Sequence, residues 1–141
     1  MREMAPAEWR AFLEGGTRTA KAALTRADGS PHVAPVWFVL DGEDLVFMTG
    51  RDTVKGRSLR RDGRISLCVD EEAPPFAFVL VRGRARLSED VAEMLPLSIR
   101  IAARYMGPDL AEAYGRRNAV PGEMLVRVAL DDVLAQAAIA D

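Results

Sequence analysis

The spacing of apolar positions changes character twice along the chain. In "MAPAEWRAFLEGG", Trp9, Phe12 and Leu13 recur at helical spacing and a glycine pair stops the run, which predicts an N-terminal helix. The period then drops to two. "RTAKAALTRADGSPHVAPVWFVLDGEDLVFMTG" reads as three β-strands separated by two turns, each marked by an Asp-Gly pair, so the hairpins predict an antiparallel sheet. In the first strand Ala20, Ala22 and Leu24 alternate with Lys21, Ala23 and Thr25. "VWFVL" is apolar on both faces, which predicts burial on both sides and a central place in the sheet. "TVKGRSLRR" predicts a short helix capped by Thr53, with Val54 and Leu59 turned to the sheet, although Gly56 costs about 1 kcal/mol relative to alanine. "RISLCVD" and "FAFVLVRGRARLSE" add two strands, joined across "EEAPP", whose prolines forbid regular structure.

The helical period returns in "SEDVAEMLPLSIRIAARYMG". Ser88 and the acids after it suit a helix start, and Val91, Met94, Leu95, Ile99, Ala102 and Met106 form a stripe that Pro96 should kink or split. A shorter helix is expected around "PDLAEAYGRRN", and "EMLVRVALDDVLAQAA" predicts a sixth strand through Met124, Val126 and Val128. Such an order lacks the βαβ alternation of a parallel sheet. It predicts a mainly β fold in which residues 1–141 form one domain: six antiparallel strands close into a small β-barrel with flanking helices at its rim. Closure also removes exposed sheet edges.

Composition narrows the function classes. Hydrophobic residues at 49% and charged residues at 28% over 141 residues suit one soluble globular domain. No apolar run approaches the roughly 20 residues that cross a bilayer, and the first residues mix acids and bases rather than forming a signal block; a cytoplasmic protein with no membrane partner is expected. A net charge of −2 argues against a general nucleic-acid binder. The positive charge is local: between Arg51 and Arg64 six cations face only Asp52 and Asp62, a balance of +4 that leaves −6 for the rest. The single Cys68 can form neither an internal disulfide nor a cysteine cage, and is expected as an inert buried thiol. The single His32, in "GSPHVAP", carries no motif, so no metal site and no His-based triad is expected.

The local positive charge is where chemistry concentrates. "GRDTVKGRS" is no nucleotide-triphosphate loop, because its lysine precedes Gly56 and arginine follows it. What stands there is a strand ending at "FMTG", a turn, and a helix with Lys55 and Arg57 near its start. A phosphate could be held by the Thr49 hydroxyl, backbone N–H groups around Gly50 and the charges of Lys55 and Arg57, with a partial positive charge from the helix terminus. A charge run of this kind also reads as a solvated helix face.

The stretch "DGSPHVAPVWFVLDGEDLVFMTGRDTVKGRSLRRDGRISLCVD" resembles the split β-barrel family of pyridoxamine-phosphate-oxidase-like flavin and deazaflavin proteins, and is most like its actinobacterial branch that uses coenzyme F420. Four features carry the resemblance over residues 17–88: a "DG-P" turn, the strand "P-V-W-F", a strand ending in a small hydroxyl residue and glycine, and K-x-R-x-L-R-R-D-x-R. The last stands here as Lys55, Arg57, Leu59, Arg60, Arg61, Asp62 and Arg64. The resemblance implies an FMN-binding-like, six-stranded antiparallel split β-barrel. It implies an F420-dependent oxidoreductase that passes hydride from reduced deazaflavin to an unsaturated or conjugated small molecule. An FMN-dependent oxidoreductase of the same fold, or a non-catalytic protein binding a flavin, deazaflavin or tetrapyrrole, are the alternatives. Thr49, Lys55 and Arg57 would hold the cofactor phosphate, and Pro35, Val36, Trp37 and Phe38 would run beside the tricyclic ring. Arg60 or Arg61 would meet the polyglutamate tail, turn to solvent or pair with Asp62. The family places its cofactor in a groove between two subunits, which implies a homodimer. Deazaflavin chemistry requires no catalytic side chain; Tyr105 and Tyr114 are the candidate proton donors, or packing residues. Nothing in "EMLVRVALDDVLAQAAIAD" matches the additional arginine and histidine with which the longer pyridoxamine-phosphate oxidases fix pyridoxal phosphate, so that substrate is disfavoured.

Overall fold

The computed structural model describes residues 1–141. In chain order the elements are β1 (Arg2–Glu3), α1 (Pro6–Glu14), β2 (Ala20–Thr25), β3 (Pro31–Val36), β4 (Phe38–Asp41), β5 (Asp44–Gly50), α2 (Val54–Arg61), β6 (Arg64–Glu71), β7 (Ala77–Arg84), β8 (Arg86–Ser88) and α3 (Val91–Met106). A 3₁₀ turn (Pro108–Leu110), α4 (Ala111–Asn118), β9 (Glu123–Ala129) and β10 (Val133–Ala137) complete the chain. The barrel is split into two antiparallel sheets, one in the order β1-β10-β7-β6-β2-β3 and one in the order β4-β5-β9-β8.

Three of the six expected strands divide where the chain passes from one sheet to the other. The second becomes β3 and β4 at Trp37, the fifth becomes β7 and β8 at Ala85, and the last becomes β9 and β10 across Leu130–Asp132. With the short β1 added, six strands become ten. Alternation conceals the corner at Trp37: Val36 and Phe38 both enter the inter-sheet core while Trp37 points out, so the period of two continues through the break.

This corner also corrects the expectation of a central strand. β3 and β4 are both edge strands of their sheets. "VWFVL" is apolar on two faces because β4 lies between two cores: Phe38 and Leu40 face the space between the sheets, whereas Val39 packs with Val46 and Leu125 under α3. The inter-sheet core gathers the alternate residues of both sheets, including Ala22, Phe47, Leu67, Val79 and Val126, and α1 closes it with Trp9 and Leu13.

On the outer face of the smaller sheet, α3 buries Met94, Leu97 and Ile101. The buried stripe is therefore shifted from the expected one, and Ile99 is left to meet α4. There Gly115 lets the two helices approach: a β-carbon at this position would lie 2.4 Å from Ile99 Cγ1 and 2.8 Å from its Cα. Ser98, also buried, donates its hydroxyl to the Gly115 carbonyl at 2.9 Å. The cap of α3 is Asp90, whose carboxylate accepts from the Ala92 N–H at 3.0 Å, and Ser88 instead bonds Glu93. Pro96 does not split the helix, which runs unbroken from Val91 to Met106. Met94 and Leu97, on either side of it, are anchored in the second core, and that burial outweighs the single ladder bond a proline removes.

Candidate functional site

The site is built on the junction between β5 and α2. Thr53 caps the helix, accepting from the Gly56 N–H at 3.1 Å and donating its own proton to the Gly50 carbonyl at 2.7 Å. The turn is tight because residue 56 is glycine: a β-carbon there would lie 2.1 Å from the Gly50 oxygen and 2.5 Å from the Arg51 oxygen. Gly56 thus weakens the helix by propensity but is what allows it to start against the end of β5. The first amides of α2, at Val54 and Lys55, have no intrahelical acceptor and remain available to a ligand. Thr49 is buried, and its hydroxyl sits 3.3 Å from that of Thr53, a separation long enough for it to turn to another partner.

Beside this junction lies a groove of about 410 Å³. That volume is within the range of roughly 300–1,000 Å³ typical of small-molecule sites. Six of the ten expected ligand residues line it: Pro35, Val36, Trp37, Thr49, Gly50 and Lys55. Trp37 and Pro35 are exposed. Phe38 belongs instead to the core, where it is fully buried, because the residue after an outward Trp37 must point inward.

The cations of α2 divide by partner. Arg60 donates to the Arg51 carbonyl at 3.0 Å and lies 3.7 Å from Asp52. Arg61 donates to the Thr25 carbonyl at 2.6 Å, and just beyond the helix Arg64, the first residue of β6, pairs with Asp62 at 2.7 Å, drawing that carboxyl down to about 2 by direct hydrogen bonding. Arg60, Arg61 and Arg57 do not line the groove. Lys55 and Arg57 alone in this helix take no intramolecular partner, and of the two only Lys55 reaches the groove wall.

The remaining wall comes from elements far along the chain. Ser98 and Ile101 of α3, Asn118 at the end of α4 and Glu123 at the start of β9 all face the groove, joined by Met48 of β5. No local motif signals them; the pairing of β9 with β5 sets Glu123 opposite Gly50, and the packing of α3 and α4 brings the three helical residues there. Burial pushes the Glu123 carboxyl above its ordinary range.

Tyr105 acts on the site from behind. Its ring stacks on Trp37 with centroids 4.9 Å apart and planes 6° from parallel. Its hydroxyl donates to the Arg18 carbonyl at 2.8 Å and accepts from the Phe38 N–H at 3.2 Å. Burial pushes the pKa of this hydroxyl up, so it holds its proton more firmly. With both bonding directions committed to backbone, Tyr105 holds the groove wall and is not placed to protonate a ligand; Tyr114, beside the Arg117 guanidinium, lies outside the groove. Arg104 adds a second fastening: half-buried and without a carboxylate, it donates to the carbonyls of Leu13, Gly15, Gly16 and Phe38.

His32 contacts Arg26 at 3.1 Å on the β2–β3 hairpin, away from the groove. Cys68 is half-buried on the outer face of β6, not in the core, since Leu67 and Val69 take the inward positions. Burial and the nearby Asp70 keep its thiol protonated. No cluster of three or more His, Cys, Asp or Glu side chains forms a metal site, and no helix is long and apolar enough to cross a membrane.

A sequence profile of the pyridoxamine 5'-phosphate oxidase family matches residues 5–137. Among solved structures, a conserved hypothetical protein from Mycobacterium tuberculosis superposes with a TM-score of 0.85 at 22% identity, over 96% of this chain and 86% of that one. An F420 reductase superposes with a TM-score of 0.67 at 22% identity, over 87% of this chain and 94% of its own. A haem storage protein from Vibrio cholerae gives 0.68 at 18% identity, over 90% and 89%. Comparison with curated protein sequences returns no match.

Proposed function

This chain belongs to the pyridoxamine 5'-phosphate oxidase family, and from that premise we propose that it is a coenzyme F420-dependent reductase acting on an unsaturated or conjugated small molecule. The observation that carries the reading is the groove itself. An unpaired Lys55, the Thr49 hydroxyl and the free amides of α2 stand at one end, and the exposed Trp37 forms an apolar wall beside them. That donor set fits a ligand bearing a phosphate on a flat conjugated ring. Deazaflavin supplies two-electron hydride transfer when bound.

The chain's own residues would bind and orient. Lys55 and Thr49 hold the phosphate, Arg57, two residues on in α2 and outside the groove lining, adds only longer-range positive charge, and Pro35 to Trp37 set the height of the ring. Tyr105 and Arg104 keep that wall fixed through backbone bonds. Ile101 and Met48 exclude water from the floor. FMN presents the same phosphate and ring chemistry, so discrimination between the two cofactors is part of the test. Trp37 in the groove wall and Val33, two residues before the lining Pro35 on the same exposed face of β3, are both exposed, which supports a homodimer in which a second copy covers the groove's open side.

Parallel titration with reduced and oxidised F420 and with FMN, followed by fluorescence, tests the reading. Tighter binding of F420 is expected. Lys55→Ala should weaken it by about 1.5–3 kcal/mol, the worth of a charged hydrogen bond, and Arg57→Ala by less. Equal affinity of wild type and Lys55→Ala would sink the cradle. Preferential binding of FMN would move the chain to flavin chemistry.

A further inference from the structure

Glu123 is the one acid among the groove residues. It opens β9 opposite Gly50, and its backbone N–H is fixed to the Val120 carbonyl at 3.1 Å, so its side chain is delivered to the same cleft as Thr49 and Lys55. The carboxylate has no hydrogen-bond or ion-pair partner, although fourteen ion pairs hold most other acids of this chain. Around it, β5 presents the neutral Met48, Thr49 and Gly50, α3 the neutral Ser98 and Ile101, and α4 the neutral Asn118. Lys55 of α2 is the sole cation of the groove. Arg51, next in chain to Gly50, is held by Glu89 at 2.9 Å, and Arg116 by Glu112 at 3.1 Å.

A phosphoryl group bound at Thr49 and Lys55 would therefore share its cleft with a carboxylate that no other cation neutralises. Two like charges in one site resist simultaneous ionisation. We propose that Glu123 takes up a proton when a phosphoryl-bearing ligand binds, and as a carboxylic acid donates a hydrogen bond to that ligand. One proton passes from solvent to a Glu123 carboxylate oxygen per ligand bound; no covalent bond of the ligand changes. Burial already favours the protonated form of this carboxyl, which lowers the cost of the step. The consequence is selectivity: the groove accepts a ligand that offers an acceptor atom to Glu123, and it disfavours a bare second anion there.

The inference rests on the groove being the cofactor site, and calorimetry can separate the two. Wild type, Glu123→Gln and Lys55→Ala are titrated with F420 and with FMN between pH 5.5 and 8.5, in buffers of differing ionisation heat. The phosphate monoester of FMN also titrates, with a second ionisation at about 6, whereas the phosphate of F420 is a diester without one; any other ionisable group of either ligand contributes equally to both proteins. Glu123→Gln retains that contribution, so the difference between the two proteins belongs to Glu123. Wild type should take up more protons than Glu123→Gln, by a difference approaching one. Its affinity should fall more steeply with rising pH, by a factor approaching tenfold per unit, and Glu123→Gln should bind about tenfold tighter at pH 8. Equal proton uptake and equal slopes, with binding still dependent on Lys55, would overturn this inference alone. Binding that Lys55→Ala leaves unchanged, or no binding of either ligand, would overturn the groove reading and this inference with it.

Discussion

At Gly56 two residue-level effects oppose each other. Helix propensity favours alanine over glycine by about 1 kcal/mol, so an isolated α2 would gain from Gly56→Ala. In the folded chain the added carbon would meet two backbone carbonyl oxygens at 2.1 and 2.5 Å, and neither can move without opening the turn that carries Thr49 and Gly50. Overpacking against backbone outweighs propensity. Gly56→Ala should therefore lose about 2–3 kcal/mol in urea unfolding and bind ligand poorly; a stabilised variant would contradict the geometry. Tyr105 presents the complementary case, a hydroxyl that by residue type suits a proton donor. Its two backbone bonds make it a positioning residue for Trp37. In a Trp9→Phe background, where Trp37 is the only indole, Tyr105→Phe should cost about 1 kcal/mol of stability and make Trp37 more accessible to a collisional quencher. Stability lost with quenching unchanged would leave Tyr105 a packing residue only.

At the scale of elements, the α3–α4 contact sets one side of the groove, since Ser98 and Asn118 come from its two helices. Gly115→Ala would place a carbon 2.4 Å from Ile99 Cγ1 and force the helices apart. It should destabilise by about 1–3 kcal/mol and weaken ligand binding together, whereas Ser98→Ala removes one bond to the Gly115 carbonyl and should cost about 1 kcal/mol. Thermal unfolding and the cofactor titration measure both. The contrast with α2 explains what could be read in advance. The cap at Thr53, the strand ending at Gly50 and the unpaired Lys55 lie within seven residues, so local chemistry reveals that half of the groove. Ser98, Asn118 and Glu123 arrive through helix packing and strand register, which no short motif encodes. The corners at Trp37 and Ala85 were hidden for a related reason: a strand that changes sheets can keep its inward and outward alternation, and only hydrogen-bond partners reveal the change.

For the whole molecule, the exposed edge at β3 bears on how a second copy could bind. Pro31 and Pro35 share one direction along this edge strand with Val33 between them, and proline lacks the N–H that ladder extension needs. In edge strands such prolines turn the missing donor toward solvent, which blunts the edge against strand addition. Association would then proceed through side chains. Val33 is 63% exposed and Trp37 39%, an apolar pair beside a groove that opens to one side, and a net charge of −2 offers little repulsion between copies. Val33→Asp tests this at the level of assembly. In a monomer the exposed substitution should change unfolding free energy by less than about 0.5 kcal/mol. In a dimer it buries an unpaired charge, so sedimentation at micromolar concentration should shift from dimer to monomer. F420 affinity should fall in parallel if the second copy covers the open side. Wild-type protein that sediments as a monomer with full affinity would remove the dimer and leave each groove complete within a single chain.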